Sequence, residues 1–390
     1  MLNKTYEVPY GTKDILPGEM KARRSVETAI IKVFDKWGYD EVKTPDFEYA
    51  DTFGSAGTEF DFRLFDRNNN LLVLRNDMTA PIARLMATRL HGGEKAKRLC
   101  YVANLYRYEE IQAGRQCQFE QAGVELLGAA GPVADAEVIA IAAESLKAAG
   151  LQKFAIIVGN VDFINGMAAE AGLDEQQTLE LKQCLRRHDA VALQQLADGL
   201  EGVRPELKQL FADFVFLQGG KELLQRMQAL VENSLAQAAL NDLLQIYTLL
   251  ETYGVAEHVS LDLGLYRSFN YYTGMLFEIY LPELGYPIAG GGRYDKMLED
   301  FGVHAPATGF ALGVDRIMLA LERNGTVHNE RSCDIFLAYA AGKEKEAIRR
   351  AVELRRQGQS VKLGMEPMSR AQAETAMKEY ACNDLVMVEE

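Results

Sequence analysis

A mixed α/β chain of the α+β type, with a helical insertion and a small βαβαβ unit at its end, is what this sequence of 390 residues encodes. Three observations carry that reading. Hairpin patterns recur in the first half, where apolar and polar residues alternate around short polar turns. The stretch from about 162 to 253 is rich in Ala, Leu and Gln and nearly free of Pro, which marks a block of helices inserted between strands. The last sixty or so residues, 331–390, then alternate strand, helix, strand, helix, strand. The chain therefore divides into a core of residues 1–325, interrupted by the insertion, and a terminal unit of residues 331–390.

The N-terminal segment PYGTKDILPGE is turn-rich. Val26, Ile30, Val33, Phe34 and Trp37 then recur at three- and four-residue steps, so a helix runs to Gly38. EVKTPDFEYADTF reads as one strand running into Pro45 and a loop. Asn68, Asn69 and Asn70 form a turn between strands at 63–66 and 71–74. Thr79-Ala80-Pro81 opens a helix whose apolar face holds Ile82, Leu85, Met86 and Leu90.

Residues 104–128, NLYRYEEIQAGRQCQFEQAGVELLG, form a second hairpin, its loop holding Gly114 and Arg115 and its return strand beginning at Phe119. AGPVADAEVIAIAAESLKAAG is a helix and FAIIVGN a buried strand. After the insertion the strand pattern returns in VSLDLGLYRSFNYYTGMLFEIYL. PIAGGGRYDKMLEDFG reads as a glycine-rich strand followed by a helix, and TGFALGVDRIMLALERNG as a further strand and helix.

Bulk properties exclude several classes. Hydrophobic residues make up 48% and charged residues 25%, as in ordinary globular proteins. No apolar run approaches the ~20 residues of a membrane span, and the N-terminus has no signal-peptide core, so a cytoplasmic protein is expected. Cys100, Cys117, Cys184, Cys333 and Cys382 are scattered without a CxxC pair, which predicts packed, reduced thiols and no zinc site. His91, His188, His258, His304 and His328 show no metal-binding spacing. A net charge of −14 works against a large nucleic-acid footprint.

The chemistry concentrates where strands meet loops. Arg107 and Arg115 lie on the second hairpin among Glu109, Gln112, Gln121 and Glu125. Guanidinium forks suit phosphate and carboxylate, while amides and carboxylates grip an amine or an imidazole. That mixture suits a ligand that is part anion and part amino acid or base; ion pairs on a solvated hairpin would look the same. LRNDMT, LYRSFNYYTG, GGGRYD and GFALGVDR are the other such segments. GGGRYD has neither Walker nor dinucleotide-binding spacing, so its glycines are expected to admit a close approach of ligand or backbone.

In this order the segments resemble the class II aminoacyl-tRNA synthetase core, and most closely the histidyl-tRNA synthetase group. GTKDILPGE with GYDEVKTP is similar to the first motif, YRYEEIQAGRQCQFEQAGVE to the second and GFALGVDR to the third. The resemblance implies an antiparallel sheet flanked by helices, a homodimer through the core, and a terminal unit like a truncated anticodon-binding domain. It implies that Asp77, Thr79, Gln121, Glu125, Tyr271 and Tyr272 surround a histidine ligand, joined by Arg267, which stands where the synthetases place a catalytic arginine. It makes Arg107 and Arg316 the contacts to the α- and γ-phosphates of ATP.

The departures matter as much. The synthetases read LRPEGT where this chain has Leu74-Arg75-Asn76-Asp77-Met78-Thr79, and RGLDYY where it has Arg267-Ser268-Phe269-Asn270-Tyr271-Tyr272. Glu120 stands in place of a histidine, and a carboxylate beside phosphate-binding arginines disfavours ATP. LRNDMTAPIARL and QCQFEQAGVELLG are instead similar to the regulatory-subunit family of ATP phosphoribosyltransferase, although Asn76 and Gln116 depart from that pattern too. This resemblance implies a subunit without catalytic residues or cofactors of its own. Its partner would be the short-form catalytic subunit in a hetero-octamer, its effector L-histidine, and its pathway histidine biosynthesis, with no tRNA or membrane. The alternatives are an active histidyl-tRNA synthetase, favoured by the retained arginines, and a ligase that adenylates an amino acid for another target.

Overall fold

The computed structural model describes residues 6–54, 60–90, 96–108, 116–267, 271–326 and 333–389. It has two compact units, Met1–Asp14 with Ser25–Thr326, and Ile15–Arg24 with Val327–Glu390.

In chain order the first half contains α1 (Pro17–Lys36), β1 (Asp40–Glu41), β2 (Phe47–Tyr49), β3 (Arg63–Phe65), β4 (Leu71–Leu74), α2 (Thr79–Leu85), β5 (Lys97–Tyr106), β6 (Gln118–Leu127), α3 (Pro132–Ala148) and β7 (Ala155–Asn160). The insertion follows as α4 (Val161–Glu170), α5 (Glu175–Arg187), α6 (Ala190–Asp198), α7 (Pro205–Ala212), β8 (Gln218–Gly219), α8 (Lys221–Leu230) and α9 (Ser234–Thr252). β9 (Val259–Asp262), β10 (Met275–Tyr280), β11 (Ala289–Arg293), β12 (Ala307–Gly313) and α10 (Val314–Arg323) complete the large unit.

Nine of these strands make one sheet in the order β1-β5-β6-β12-β11-β10-β7-β9-β8. The run from β5 to β7 is antiparallel throughout; β1 adds to β5, and β9 to β7, in parallel. Side chains alternate between two faces, and both are covered. On β6, Ala122, Val124 and Leu126 point to one face, where Phe310 meets Phe34 of α1 edge-on at 6.2 Å and α3 packs on β12. Gln121, Gly123 and Glu125 alternate with them and share the other face with Tyr101 of β5 and Gly309 of β12, their cross-strand neighbours. Met78, Ile82 and Met86 build a second core on that face.

The helical insertion is self-capped. Asp174 forms a capping box with Gln177 at the start of α5, and the Asn233 side chain accepts two backbone N–H groups of α9. His188 ends α5 in the left-handed conformation (φ 52°), with Nδ1 3.1 Å from the Leu185 carbonyl; it is a helix cap.

Two elements differ from the sequence reading. The strand expected to run into Pro45 is only the short β1, which pairs with β5, and part of the loop expected after it is a second strand, β2, which pairs with β4 in a separate sheet ordered β2-β4-β3; proline, with no N–H to donate to a ladder, separates the two. The helix expected after the triple glycine is a set of turns ending in a single 3-10 turn, Glu299–Phe301. Asp295 contributes to this: its carboxylate accepts the Ala307 N–H at 2.8 Å and the Tyr294 N–H bonds the Ala307 carbonyl, so the segment between them is a closed loop whose ends are pinned together. The hairpin's arms are also longer than its alternation implied, Lys97–Tyr106 and Gln118–Leu127, while Glu109, Gln112, Gly114 and Arg115 fall outside the described residues.

In the second unit β13 (Cys333–Tyr339), α11 (Glu344–Arg356), β14 (Val361–Leu363), α12 (Arg370–Glu379) and β15 (Cys382–Val388) form a parallel sheet ordered β14-β13-β15. Its faces are filled separately: Ile335 and Leu337 pack on Ala347, Ala351 and Leu354 of α11, and Phe336 and Ala338 on Ala373 of α12. Cys100, Cys117, Cys184, Cys333 and Cys382 are all buried thiols, none of them in a disulfide.

Candidate functional site

The second face of the large sheet carries a cavity of about 160 Å³. Small residues make its floor. Gly309 stands opposite Glu125 in the β6–β12 register, and Gly290 opposite Glu278 in the β10–β11 register. A Cβ at Gly309 would lie 2.1 Å from Oε2 of Glu125, and one at Gly290 would lie 1.8 Å from a terminal guanidinium nitrogen of Arg267. The glycines thus let a carboxylate and a guanidinium lie flat on the sheet. All nine residues marked by the sequence line this cavity: Asp77, Thr79, Arg107, Gln121, Glu125, Arg267, Tyr271, Tyr272 and Arg316.

One end is acidic and aromatic. Glu125 is 2% exposed and accepts from the Thr79 hydroxyl at 3.1 Å and from the Tyr294 hydroxyl at its other oxygen. Burial pushes its carboxyl up to about 8; the Tyr294 hydrogen bond opposes this and the neighbouring Asp77 charge adds to it. Burial also raises Asp77, against the Ala80 N–H that it accepts at 3.1 Å and the charge of Arg107. Asp77 therefore caps α2 from the cavity wall. Tyr271 stacks obliquely on Tyr272 at 4.8 Å and meets Tyr294 edge-on at 6.1 Å. Two buried carboxyls lining one cavity, beside aromatic rings, suit a cation such as an ammonium group.

The other end holds the guanidiniums. Arg107 donates Nε to the Asn76 carbonyl at 2.7 Å and lies 5.3 Å over the Phe119 ring. Arg267 pairs with Glu278 at 3.1 Å and faces the Tyr272 ring at 6.0 Å. Arg316, from α10, donates to the Pro287 carbonyl and sits 5.2 Å over Tyr286. Asp315, its neighbour, accepts the Glu120 N–H at 2.7 Å, which ties α10 to β6. Glu120 and Asp315 line the cavity together with the three arginines, so it is not a strongly cationic pocket for a polyphosphate.

Two arginines in the same sequence segments do other work. Arg75 is 3% exposed and bridges Asp46 at 2.6 Å and the Asn104 carbonyl at 2.8 Å. Arg293 is clamped by Asp135 at 2.8 Å and Asp295 at 3.1 Å, away from the cavity. Ser268, Phe269 and Asn270 lie outside the described residues. The sequence reading missed Tyr101 and Tyr294 in the lining. Tyr294 had a usable signal, since it directly follows the glycine strand; Tyr101 becomes visible only through its register with Gly123. Among the described residues no group of three His, Cys, Asp or Glu could hold a metal ion, and no helix is long and apolar enough to cross a membrane.

The histidyl-tRNA synthetase family model matches residues 11–317. A protein of Desulforamulus reducens named ATP phosphoribosyltransferase regulatory subunit is 41% identical over 93% of this chain and 92% of its own length. One of the same name from Moorella thermoacetica is 42% identical over 95% of each. A crystal structure from Bacillus halodurans, titled as an ATP phosphoribosyltransferase regulatory subunit/histidyl-tRNA synthetase, superposes with a TM-score of 0.87 at 33% identity, covering 99% of this chain and 98% of that one. The histidyl-tRNA synthetase of a Nostoc species shares the fold, with a TM-score of 0.83 at 21% identity over 97% of this chain and 90% of that one. By cavity, topology and likeness, the chain belongs to the histidyl-tRNA synthetase-like family of ATP phosphoribosyltransferase regulatory subunits.

Proposed function

We propose that this chain is the regulatory subunit of ATP phosphoribosyltransferase, acting in the cytoplasm at the entry to histidine biosynthesis. It activates the short-form catalytic subunit in a hetero-octamer and performs no catalysis itself. L-histidine is its effector, held with the ammonium between Asp77 and Glu125, the ring near Gln121, Tyr271 and Tyr272, and the carboxylate toward Arg267. The observation that carries this reading is the Asp77–Glu125 pair: two buried carboxyls with raised affinity for protons gain most when an ammonium enters. Feedback follows if histidine favours one quaternary state, because the shift in activity equals its difference in affinity between states. A homodimer through the core is supported by the small β2-β4-β3 sheet, which leaves Phe47, Tyr49 and Phe65 52%, 57% and 65% exposed.

An active histidyl-tRNA synthetase is the second reading, favoured by Arg107, Arg267 and Arg316 on one cavity. Glu120 and Asp315 in the lining, and Met78 beside Asp77 in the same cavity wall, oppose it. ATP–pyrophosphate exchange with a panel of amino acids separates the readings. The regulatory subunit gives none. Exchange with histidine supports the synthetase, and exchange with another amino acid supports a ligase of different target.

A further inference from the structure

Behind Tyr271 and Tyr272 lies a second cavity, of about 440 Å³, which shares those two residues and Arg267 with the first. Its walls come from the insertion and the core together: Lys182 from α5, Asp162 from α4, and Thr273 and Lys296 from the segments flanking β10 and β11. Three cations, Lys182, Lys296 and Arg267, thus line a space with one carboxylate, Asp162, among the described residues.

Arg267 is already paired with Glu278 on the sheet. Lys182 is not comparably served. Its ammonium is 5.9 Å from the centre of the Tyr266 ring, burial pulls its pKa down, and Asp162 is the one charge that acts to hold it up. Burial raises the Asp162 carboxyl against the Asn165 amide that donates to it at 3.4 Å and the charges of Lys296 and Lys182, and the nearby Asp295 carboxylate adds to the rise. Among the described residues no ion pair joins either lysine to a carboxylate. Lys296 is exposed, but Lys182 is half-buried, and a partly desolvated ammonium without a close counter-charge is unfavourable unless something anionic arrives.

We propose that this second cavity binds a small multivalent anion of the phosphate or pyrophosphate class, held by Lys182 and Lys296 with the Thr273 hydroxyl. The site is distinct from the Arg107 and Arg316 end of the first cavity, and it stands whether or not the first cavity takes histidine. The ligand would span insertion and core, so its occupancy would fix α5 against the loop that carries Lys296.

The test is calorimetric titration of the full chain with inorganic pyrophosphate, alongside a titration with L-histidine. Pyrophosphate binding is expected in the wild-type chain and in an Arg107→Ala/Arg316→Ala variant, which removes the anion partners of the first cavity. Adding Lys182→Met and Lys296→Met to that variant should weaken pyrophosphate at least about tenfold, the loss of one charge-assisted contact or more. Lys182→Arg with Lys296→Arg should retain it, and the lysine changes should leave the histidine titration as it was. The proposal is overturned if the wild-type chain binds no pyrophosphate, if the Arg107→Ala/Arg316→Ala change alone abolishes binding, or if the lysine variants bind it undiminished.

Discussion

Glu125 lies over Gly309: the two are register partners on β6 and β12, and a methyl group on Gly309 would meet the carboxylate oxygen at 2.1 Å. The Glu125 side chain is in this way pressed between sheet floor, Thr79 and Tyr294. Gly309→Ala should displace the carboxylate and cost about 1–3 kcal/mol of stability, as overpacked cores do. Thermal unfolding would measure that cost, and calorimetry the accompanying loss of histidine binding. An unchanged affinity would mean that Glu125 does not hold the ligand.

The raised pKa of Glu125 makes a signed prediction for pH. Folded Glu125 keeps its proton up to about 8, against 4.5 for the ordinary group, so between these values the native state binds more protons than the unfolded chain. Stability therefore falls as pH rises from 4.5 toward 8, and levels beyond. Glu125→Gln should flatten that slope in denaturant titrations across the range. A slope equal to wild type would assign the pH dependence elsewhere.

Asp77→Ala should weaken L-histidine by about 10- to 100-fold, the worth of a charge-assisted hydrogen bond in a buried site. The fold should survive, because Asp77 bonds only at the start of α2 and the Met78–Ile82 core is untouched. Calorimetry with a circular-dichroism control checks both halves of the claim.

Arg107→Ala should leave activation of the catalytic partner largely intact while assembly is preserved. Arg107 already spends Nε on the Asn76 carbonyl, and if all the chemistry belongs to the partner, as proposed, there is no transition state here for it to stabilise. Loss of activation in a variant that still assembles by size-exclusion chromatography would give this end of the cavity a direct part in turnover.

Much of this architecture was legible in the residues. The asparagine turn, the second hairpin, the Pro-poor insertion and the terminal βαβαβ unit each follow from local pattern, because turn chemistry and periodicity act over a few residues. The nine cavity residues were found by resemblance of motifs rather than by pattern. What could not be read locally is which face a side chain takes after strands distant in sequence pair. Arg75 and Arg293 look as functional as Arg107 until the structure shows them clamped by Asp46 and Asp135. Tyr294 reaches Glu125 only because β6, β12 and β11 stand side by side. The turn at Asp295 overrode the helical look of the segment after the glycines for the same reason: its carboxylate finds Ala307, which no window of neighbouring residues contains.

The most direct measurement is the turnover of a short-form ATP phosphoribosyltransferase mixed with this protein, with and without L-histidine. The account predicts a marked rise in turnover on mixing, suppression of that rise by histidine, and loss of the suppression in Asp77→Ala. A partner unaffected by the protein, or a protein that by itself charges tRNA with histidine, would contradict it.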